Sequence, residues 1–319
     1  MLYGVPFLEK SRKEKSMKKE QLELESKTAF VAIVGKPNVG KSSLLNALVA
    51  EKVAIVSSRP QTTRTKITGV ITKGPIQYVF IDTPGLHLPR TKLSEYMVNQ
   101  VNESVADVDV ALLVVEPGKD IHPMEQKLME NFSALGLSAM LIINKIDLVE
   151  NKESLLAVIQ RYTQAFDFDA VLPISVQEND GVSHIFPELE KYASPSPHFF
   201  PEDAMTDQPE RIIVAEILRE KLLCNLYDEL PHGTAVSVES MKERPDSGIL
   251  DIQATIYCEK ASHKGMIIGK GGQMLKTIAT QARADIEGFL DVKVNLQCWV
   301  KVKDDWRNNE QVLRTLGYS

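Results

Sequence analysis

The sequence predicts two domains in series: an α/β domain built on a doubly wound, mostly parallel sheet, and then a smaller α+β domain. Three observations predict this. A glycine-rich turn, Gly35-Lys36-Pro37-Asn38-Val39-Gly40-Lys41-Ser42, joins an apolar run at residues 30–34 to a helix-favouring stretch at 44–48. Further apolar runs follow, and each ends in a polar tetrapeptide. Beyond a proline-dense stretch, the patterning changes to helix, strand, strand, helix, glycine-rich loop, helix, strand.

Length and composition agree. At 319 residues and about 150 per domain, two cores are expected. The hydrophobic fraction is 43% and the charged fraction 25%, and no apolar run approaches the roughly 20 residues that cross a bilayer. Net charge is −6 at pH 7, so any nucleic-acid contact must come from a local basic patch. Cys224, Cys258 and Cys298 show no Cys-x-x-Cys spacing, and the six histidines form no His-Glu-x-x-His arrangement. Reduced cytoplasm and no structural metal are the expectation. Residues 1–27, rich in Lys and Glu and without a signal-peptide core, read as a flexible, solvated extension, in which Met17 offers an alternative start. The first domain is expected over 28–193, a linker over 194–209 and the second domain over 210–319.

The glycine-rich turn has the Gly-x-x-x-x-Gly-Lys-Ser spacing of a phosphate cradle. Between a strand and a helix, that spacing aims backbone N–H groups and the positive end of the helix dipole into one concavity. Lys41 is placed to reach β and γ phosphates, and Ser42 to ligate Mg²⁺. Residues 52–56 read next as a β-rich run. Gln61-Thr62-Thr63-Arg64 lacks helical periodicity; it is either a polar turn after Pro60 or a loop that folds over phosphates and lends Thr63 to the metal. The strand at 77–81 ends in Asp82-Thr83-Pro84-Gly85. A carboxylate at the carboxyl end of a buried parallel strand stands where open α/β sheets hold ligands, so Asp82 suits Mg²⁺ and Gly85 suits sensing of a γ-phosphate.

Residues 108–115 are almost continuously apolar, as in a strand covered on both faces. The run at 139–143 repeats the pattern and ends in Asn144-Lys145-Ile146-Asp147. Guanine offers two donors on one edge that a fixed carboxylate accepts, and adenine has no such pair. Asp147 is therefore the candidate reader of guanine, with Asn144 tying the loop to the cradle and the Lys145 stem lying over the base. Residues 171–176 close the unit.

In order, the cradle, Gln61-Thr62-Thr63-Arg64, Asp82-Thr83-Pro84-Gly85, Asn144-Lys145-Ile146-Asp147 and Ser175-Val176 resemble bacterial translation-factor-like GTPases. The Gln61-Thr62-Thr63-Arg64 segment is most similar to the Era family. The resemblance implies a GTPase that converts GTP to GDP and phosphate, with Lys41, Thr63, Asp82 and Gly85 in catalysis and Ser42, Thr63 and Asp82 at Mg²⁺. It implies a nucleotide site of Gly35, Lys36, Pro37, Asn38, Val39, Gly40, Lys41, Ser42, Ser43, Asp82, Thr83, Pro84, Gly85, Leu86, Asn144, Lys145, Asp147, Ser175 and Val176. The family has Ser-Ala where this chain has Ser175-Val176; the expected contact to guanine O6 is a backbone N–H, which the extra methyl groups need not abolish. Leu86 stands where Ras-like proteins carry glutamine and cannot hydrogen-bond a water. Slow intrinsic hydrolysis follows, with the water oriented by backbone, another side chain, or a K⁺ that Asn38 helps to ligate.

After the linker, helical periodicity runs from Pro209 towards Leu230, strands are expected at 234–239 and 249–257, a helix reaches to about Glu287, and a last strand spans 292–302. Gly269-Lys270-Gly271-Gly272 is by itself either a glycine-rich turn with solvated lysines or a nucleic-acid clamp. With the element order around it, it resembles the Gly-x-x-Gly loop of type II, bacterial KH domains, which holds the backbone of about four nucleotides. Lys260, Lys264, Lys270 and Lys276 surround it against Glu259 alone, and the expected RNA-binding set is Lys264, Gly269, Lys270, Gly271, Gly272 and Lys276. The Era resemblance runs from about Thr28 through the Leu313-Arg314-Thr315-Leu316-Gly317-Tyr318 tail. It implies single-stranded RNA, the 3′ end of small-subunit (16S) rRNA, as partner, a role in 30S ribosomal subunit assembly, a monomer, and peripheral contact with the inner face of the cell membrane. Two other classes stay open: a metabolic phosphotransferase, for which no second substrate constellation appears, and a GTP-regulated protein-interaction module without RNA binding.

Overall fold

The computed structural model describes residues 26–57, 59, 62–85, 91–118, 120–149 and 152–318. In the first domain, β1 (Lys27–Val34) leads through the glycine-rich turn into α1 (Lys41–Val49). The sheet continues with β2 (Ile67–Lys73), β3 (Ile76–Asp82), β4 (Val110–Val115), β5 (Ala139–Ile143) and β6 (Ala170–Pro173), in the order β2-β3-β1-β4-β5-β6. All neighbours are parallel except β2 with β3. Successive β1 residues feed opposite cores, as strand alternation requires. Val31 and Ile33 pack with Leu44, Leu45 and Leu48 of α1. Ala32 and Val34 pack with Val101 and Val105 of α2 (Lys92–Ala106), Phe132 of α3 (Pro123–Leu135) and Val158 of α4 (Lys152–Ala165). Helices thus cover both faces, and the chain leaves β1 for β3 on one side and β4 on the other. The crevice beyond the carboxyl end of β1 is where ligands enter such sheets.

Residues 52–56, expected as a strand, form none. Asn46 of α1 captures their backbone instead: its Oδ1 accepts from the Val53 and Ala54 N–H groups, and its Nδ2 donates to the Ala54 carbonyl. Val53 and Ala54 are buried nonetheless, in the α1 core. The stretch 194–209, expected as a linker, follows the first sheet closely. After α5 (Ile185–Leu189), β7 (Ser194–Pro195) pairs antiparallel with β1, Gln77 binds the backbone of Phe199 and Phe200, and Val70 N–H donates to the Met205 carbonyl at 2.8 Å.

The second domain runs α6 (Glu210–Asn225), β8 (Ala235–Glu243), β9 (Leu250–Cys258), α7 (Ala261–Ile268), α8 (Gln273–Leu290), β10 (Val294–Val302) and α9 (Glu310–Thr315). Its sheet order is β10-β9-β8, with β9 parallel to β10 and antiparallel to β8. α6 ends five residues before Leu230: Leu226 turns extended and Asp228 takes φ 52°. Ile217, Ile252, Ile256, Ile278 and Ile286 centre the core between sheet and helices.

The domains share a fourth cluster. Leu93 and Met97 of α2 pack with Ala235, Trp306, Val312, Leu313 and Tyr318, so the carboxy-terminal tail is a wedge between the sheets. Trp306 is fully buried and its Nε1 donates to the Gly233 carbonyl at 2.9 Å. Glu220 of α6 accepts from Lys52 Nζ and from the Val56 N–H.

Candidate nucleotide and nucleic-acid sites

The cradle is set by sterics. A Cβ at Gly35 would stand 2.3 Å from the Val114 carbonyl oxygen, and one at Gly40 2.3 Å from Asn144 Nδ2, and both residues have positive φ. Only glycine fits either position. Lys41 lies buried across the cradle, donating to the Gly35 and Lys36 carbonyls at 3.2 and 3.1 Å. Burial lowers its pKa to about 8, offset in part by Asp82.

Ser42, Thr63 and Asp82 converge, although they lie far apart in sequence. Ser42 Oγ donates to Asp82 Oδ2 at 2.6 Å and stands 2.8 Å from Thr63 Oγ1. The other carboxylate oxygen, Oδ1, is buried without a partner. Burial raises the Asp82 pKa to about 6, against Lys41 and the two hydroxyls, which lower it. A buried, half-satisfied carboxylate beside two hydroxyls and a lysine suits a hard divalent cation. Thr83 turns away to donate to the Ile33 carbonyl, and Pro84 is buried. Gly85 is pressed on the cradle: a Cβ there would come 2.8 Å from Pro37 Cα. Leu86 and Gln61 lie outside the described residues.

The base-side residues also assemble. Asn144 Nδ2 donates to the Val39 carbonyl at 2.8 Å, tying the loop to the cradle as expected. Its Oδ1 accepts the Val176 N–H at 3.1 Å, so for that N–H to reach guanine O6 it must be shared. Ser175 Oγ donates to Asp147 Oδ1 at 2.5 Å and holds the carboxylate in place. Lys145 donates to the Asn38 carbonyl at 2.6 Å. A cavity of about 460 Å³ opens on the cradle side, lined by Asn38, Lys41, Ser42, Ser43, Thr63, Gly85 and Lys145 among others; Asp82, Asn144, Asp147, Ser175 and Val176 are not in its lining.

Sequence reasoning missed Glu116, which pairs with Lys36 and Lys145, each at 2.9 Å, and so clamps the cradle to the base loop. Its place directly after β4, at a carboxyl strand end, was the available signal. Gln177, one residue past the predicted set, lines the cavity as well.

In the second domain, Lys260, Lys264, Lys270 and Lys276 are all exposed around the α7–α8 turn. Gly269 cannot carry a side chain, since a Cβ would meet Met274 Cβ at 2.7 Å; Gly271 and Gly272 have positive φ with open space around them. Glu259, the one opposing carboxylate, is neutralised by a two-pronged pair with Arg307, both bonds 2.8 Å. That arginine carried no sequence signal.

The fold and these sites define a P-loop GTPase domain followed by a KH domain. The sequence profile of the family described as 50S ribosome-binding GTPase matches residues 30–145, and that of the KH domain matches residues 229–307. GTPase Era of Ruminiclostridium cellulolyticum is 51% identical over 292 residues, covering 92% of this chain and 97% of that protein. GTPase Era of Clostridioides difficile is 45% identical over 293 residues, 92% of this chain and 99% of that protein. A crystal structure of an Aquifex aeolicus Era variant bound to GDP·AlF4⁻ superposes with a TM-score of 0.88 at 35% identity, covering 92% of this chain and 99% of that one. Era in complex with MgGDPNP and nucleotides 1506–1542 of 16S ribosomal RNA gives the same TM-score, identity and coverage. The chain belongs to the GTPase Era family and is a GTPase.

Proposed function

We propose that this protein is a GTP-hydrolysing switch that binds the 3′ end of 16S rRNA through its KH domain and assists assembly of the 30S subunit. One observation carries the reading. The loop that supplies Thr63 to Ser42 and Asp82 is the loop held by the second domain: Arg64, the next residue, donates to the Thr234 and His232 carbonyls at 2.7 and 3.0 Å.

Phosphoryl transfer needs positioning and charge neutralisation more than covalent chemistry. Lys41, already desolvated, exchanges the Gly35 and Lys36 carbonyls for phosphate oxygens. Ser42, Thr63 and Asp82 would hold Mg²⁺, which when bound neutralises charge on the β and γ phosphates. Asp147, oriented by Ser175, accepts the guanine donors, and the Lys145 stem, held by Glu116, covers the base. The Gly85 N–H, packed on Pro37, senses the γ-phosphate. With Leu86 in the position after Gly85, intrinsic turnover is slow. Lys264, Lys270 and Lys276 meet RNA phosphates while the glycines let the strand approach the backbone. No helix among the described residues is long and apolar enough to cross a membrane, so contact with the inner membrane face, implied by the family resemblance, would be peripheral.

The test is binding of an RNA spanning nucleotides 1506–1542 of 16S rRNA to the full chain, with a non-hydrolysable GTP analogue and with GDP, alongside phosphate release. RNA binding that depends on the nucleotide is expected. Absent RNA binding, with GTP still hydrolysed, overturns the RNA part in favour of a protein-interaction module.

A further inference from the structure

The Gly-x-x-Gly turn and the helices flanking it lie on one side of the KH sheet, and the other side carries a feature that the clamp does not use. Along β10, Val294, Leu296, Cys298 and Val300 belong to the core shared with the helices, so strand alternation turns Gln297, Trp299 and Lys301 to the opposite face. Trp299 is 46% exposed. Its cross-strand neighbours there are Thr255 and then Ser237, both small, and among the described residues no aromatic ring stacks on the indole. Lys301 has no ion-pair partner among the described residues, and beyond the strand end Lys303 holds its ammonium 5.6 Å from the centre of the Tyr257 ring.

We propose that this outer face of β10 is a second track for single-stranded RNA, in which a base stacks on Trp299 while Lys301 and Lys303 meet the flanking phosphates. The inference rests on the RNA-binding reading of the KH domain and extends it to the far side of the sheet. Three observations select RNA over a protein strand. A half-exposed indole forgoes the burial that keeps tryptophan inside, and every base has a face that it can stack. Lysines along an edge strand oppose pairing with another polypeptide strand and favour phosphate. Of the carboxylates near the row, Asp251 accepts from Arg244 and Asn295, Asp305 accepts from Asn308, and Glu239 bonds Tyr257, while Asp304 beside Lys303 is exposed. Same-face residues lie about 7 Å apart along a strand, comparable to one nucleotide step of an extended chain. Since the Gly-x-x-Gly loop holds only about four nucleotides, a longer RNA has strand left over to reach this face.

Fluorescence offers a direct readout, because the chain has two tryptophans and Trp306 is fully buried. Titration of the full-length protein with RNA 1506–1542 should quench Trp299 emission, and a four-nucleotide RNA that fills only the loop should not. Trp299→Ala should weaken the longer RNA by about 10-fold or more, the loss expected of one base stack, while four-nucleotide binding and GTP hydrolysis stay as in the parent. Trp299→Phe should retain most of the affinity. Lys301→Ala should lower the salt slope by about 0.7. Parent protein that binds both RNAs with emission unchanged and with Trp299→Ala equally tight overturns this track and leaves the loop reading intact. Self-association that depends on Trp299 and is indifferent to RNA overturns it in favour of a protein interface. If neither RNA binds, both readings fall.

Discussion

The Arg64 guanidinium donates to the Thr234 carbonyl at 2.7 Å, across the boundary between the two sheets. It is almost fully buried, with its charge centre 5.7 Å from the Trp306 ring centre. Two further contacts secure the same loop: Arg59 donates to the Leu226 carbonyl at 2.9 Å, and Arg219 of α6 donates to the Thr62 carbonyl. A shift of Thr63 towards or away from a bound γ-phosphate therefore pulls on the second domain through its neighbour.

Arg64→Ala removes both carbonyl contacts, each charged hydrogen bond being worth about 1.5–3 kcal/mol. The expected outcome is RNA affinity that no longer differs between GTP-analogue and GDP states, with GTP hydrolysis retained. Arg64→Lys should restore little, because an ammonium cannot reproduce the planar fork. Nucleotide-dependent RNA binding that persists in Arg64→Ala would remove this residue from the coupling.

Asp147→Asn should weaken GTP and favour xanthosine triphosphate, since xanthine replaces the exocyclic donor with an acceptor that an amide can meet. Ser175 can still donate to the amide oxygen, so the loop should keep its shape. Rejection of guanine for lack of matched donors reaches about 10⁴-fold in sites of this kind. Unchanged KM for GTP in this variant would show that Asp147 does not read the base.

Much of this was legible because periodicity and motif spacing are local. The glycine positions followed from backbone sterics, and β5 and the KH element order from apolar patterning. The failures are non-local. Residues 52–56 have β-forming side chains, but Asn46 satisfies their backbone and keeps them out of the sheet. Arg64 entered only as the end of Gln61-Thr62-Thr63-Arg64 and Arg219 not at all, since charged residues are seldom fully buried; their partners include backbone carbonyls of the other domain, which no sequence pattern marks. β2 was missed because Gly69 interrupts its run, and the glycine is needed there because a Cβ would meet Leu45 at 2.5 Å.

Asp82 gives a pH signature. Its pKa in the folded protein, about 6, lies above the ordinary carboxylate value of 3.8. The folded state therefore binds more protons between those values, and this group's contribution to stability falls as pH rises through that window. Asp82→Asn should remove that dependence. Without nucleotide it should raise the melting temperature by a few degrees at pH 7, for about 1–3 kcal/mol of relieved burial. Mg²⁺-nucleotide affinity of the parent should weaken about 10-fold per pH unit below 6, as the proton competes with the metal. Equal pH dependence of melting in parent and variant would refute the assignment.

Lys41→Ala should leave the fold intact, because its two partners are cradle carbonyls and not core side chains. Triphosphate affinity and turnover should fall by at least 100-fold, the scale of losing one preorganised charge at a phosphoryl site. Replacing Na⁺ by K⁺ should raise the parent's rate if Asn38 helps to hold the ion, and equal rates in the two salts would discard that element alone.

The Gly-x-x-Gly turn permits a cleaner substitution than sequence alone suggests. Gly269 must stay glycine for lack of space, but Gly271 has φ 60° and nothing within 4 Å of an added Cβ. Aspartate tolerates that left-handed conformation better than most residues. Replacing Lys270 and Gly271 together by Asp therefore puts two carboxylates where RNA phosphates pass, at modest conformational strain. Circular dichroism should show a folded domain, and GTP hydrolysis should match the parent, since neither residue touches the nucleotide cavity. RNA binding should be lost by about 100-fold or more at low salt, where cation-to-anion changes act most strongly. In the parent, affinity should fall with salt at a slope of about 0.7 per phosphate neutralised. A folded double variant that binds RNA 1506–1542 as tightly as the parent would make this loop a structural turn and move RNA recognition to another face of the domain.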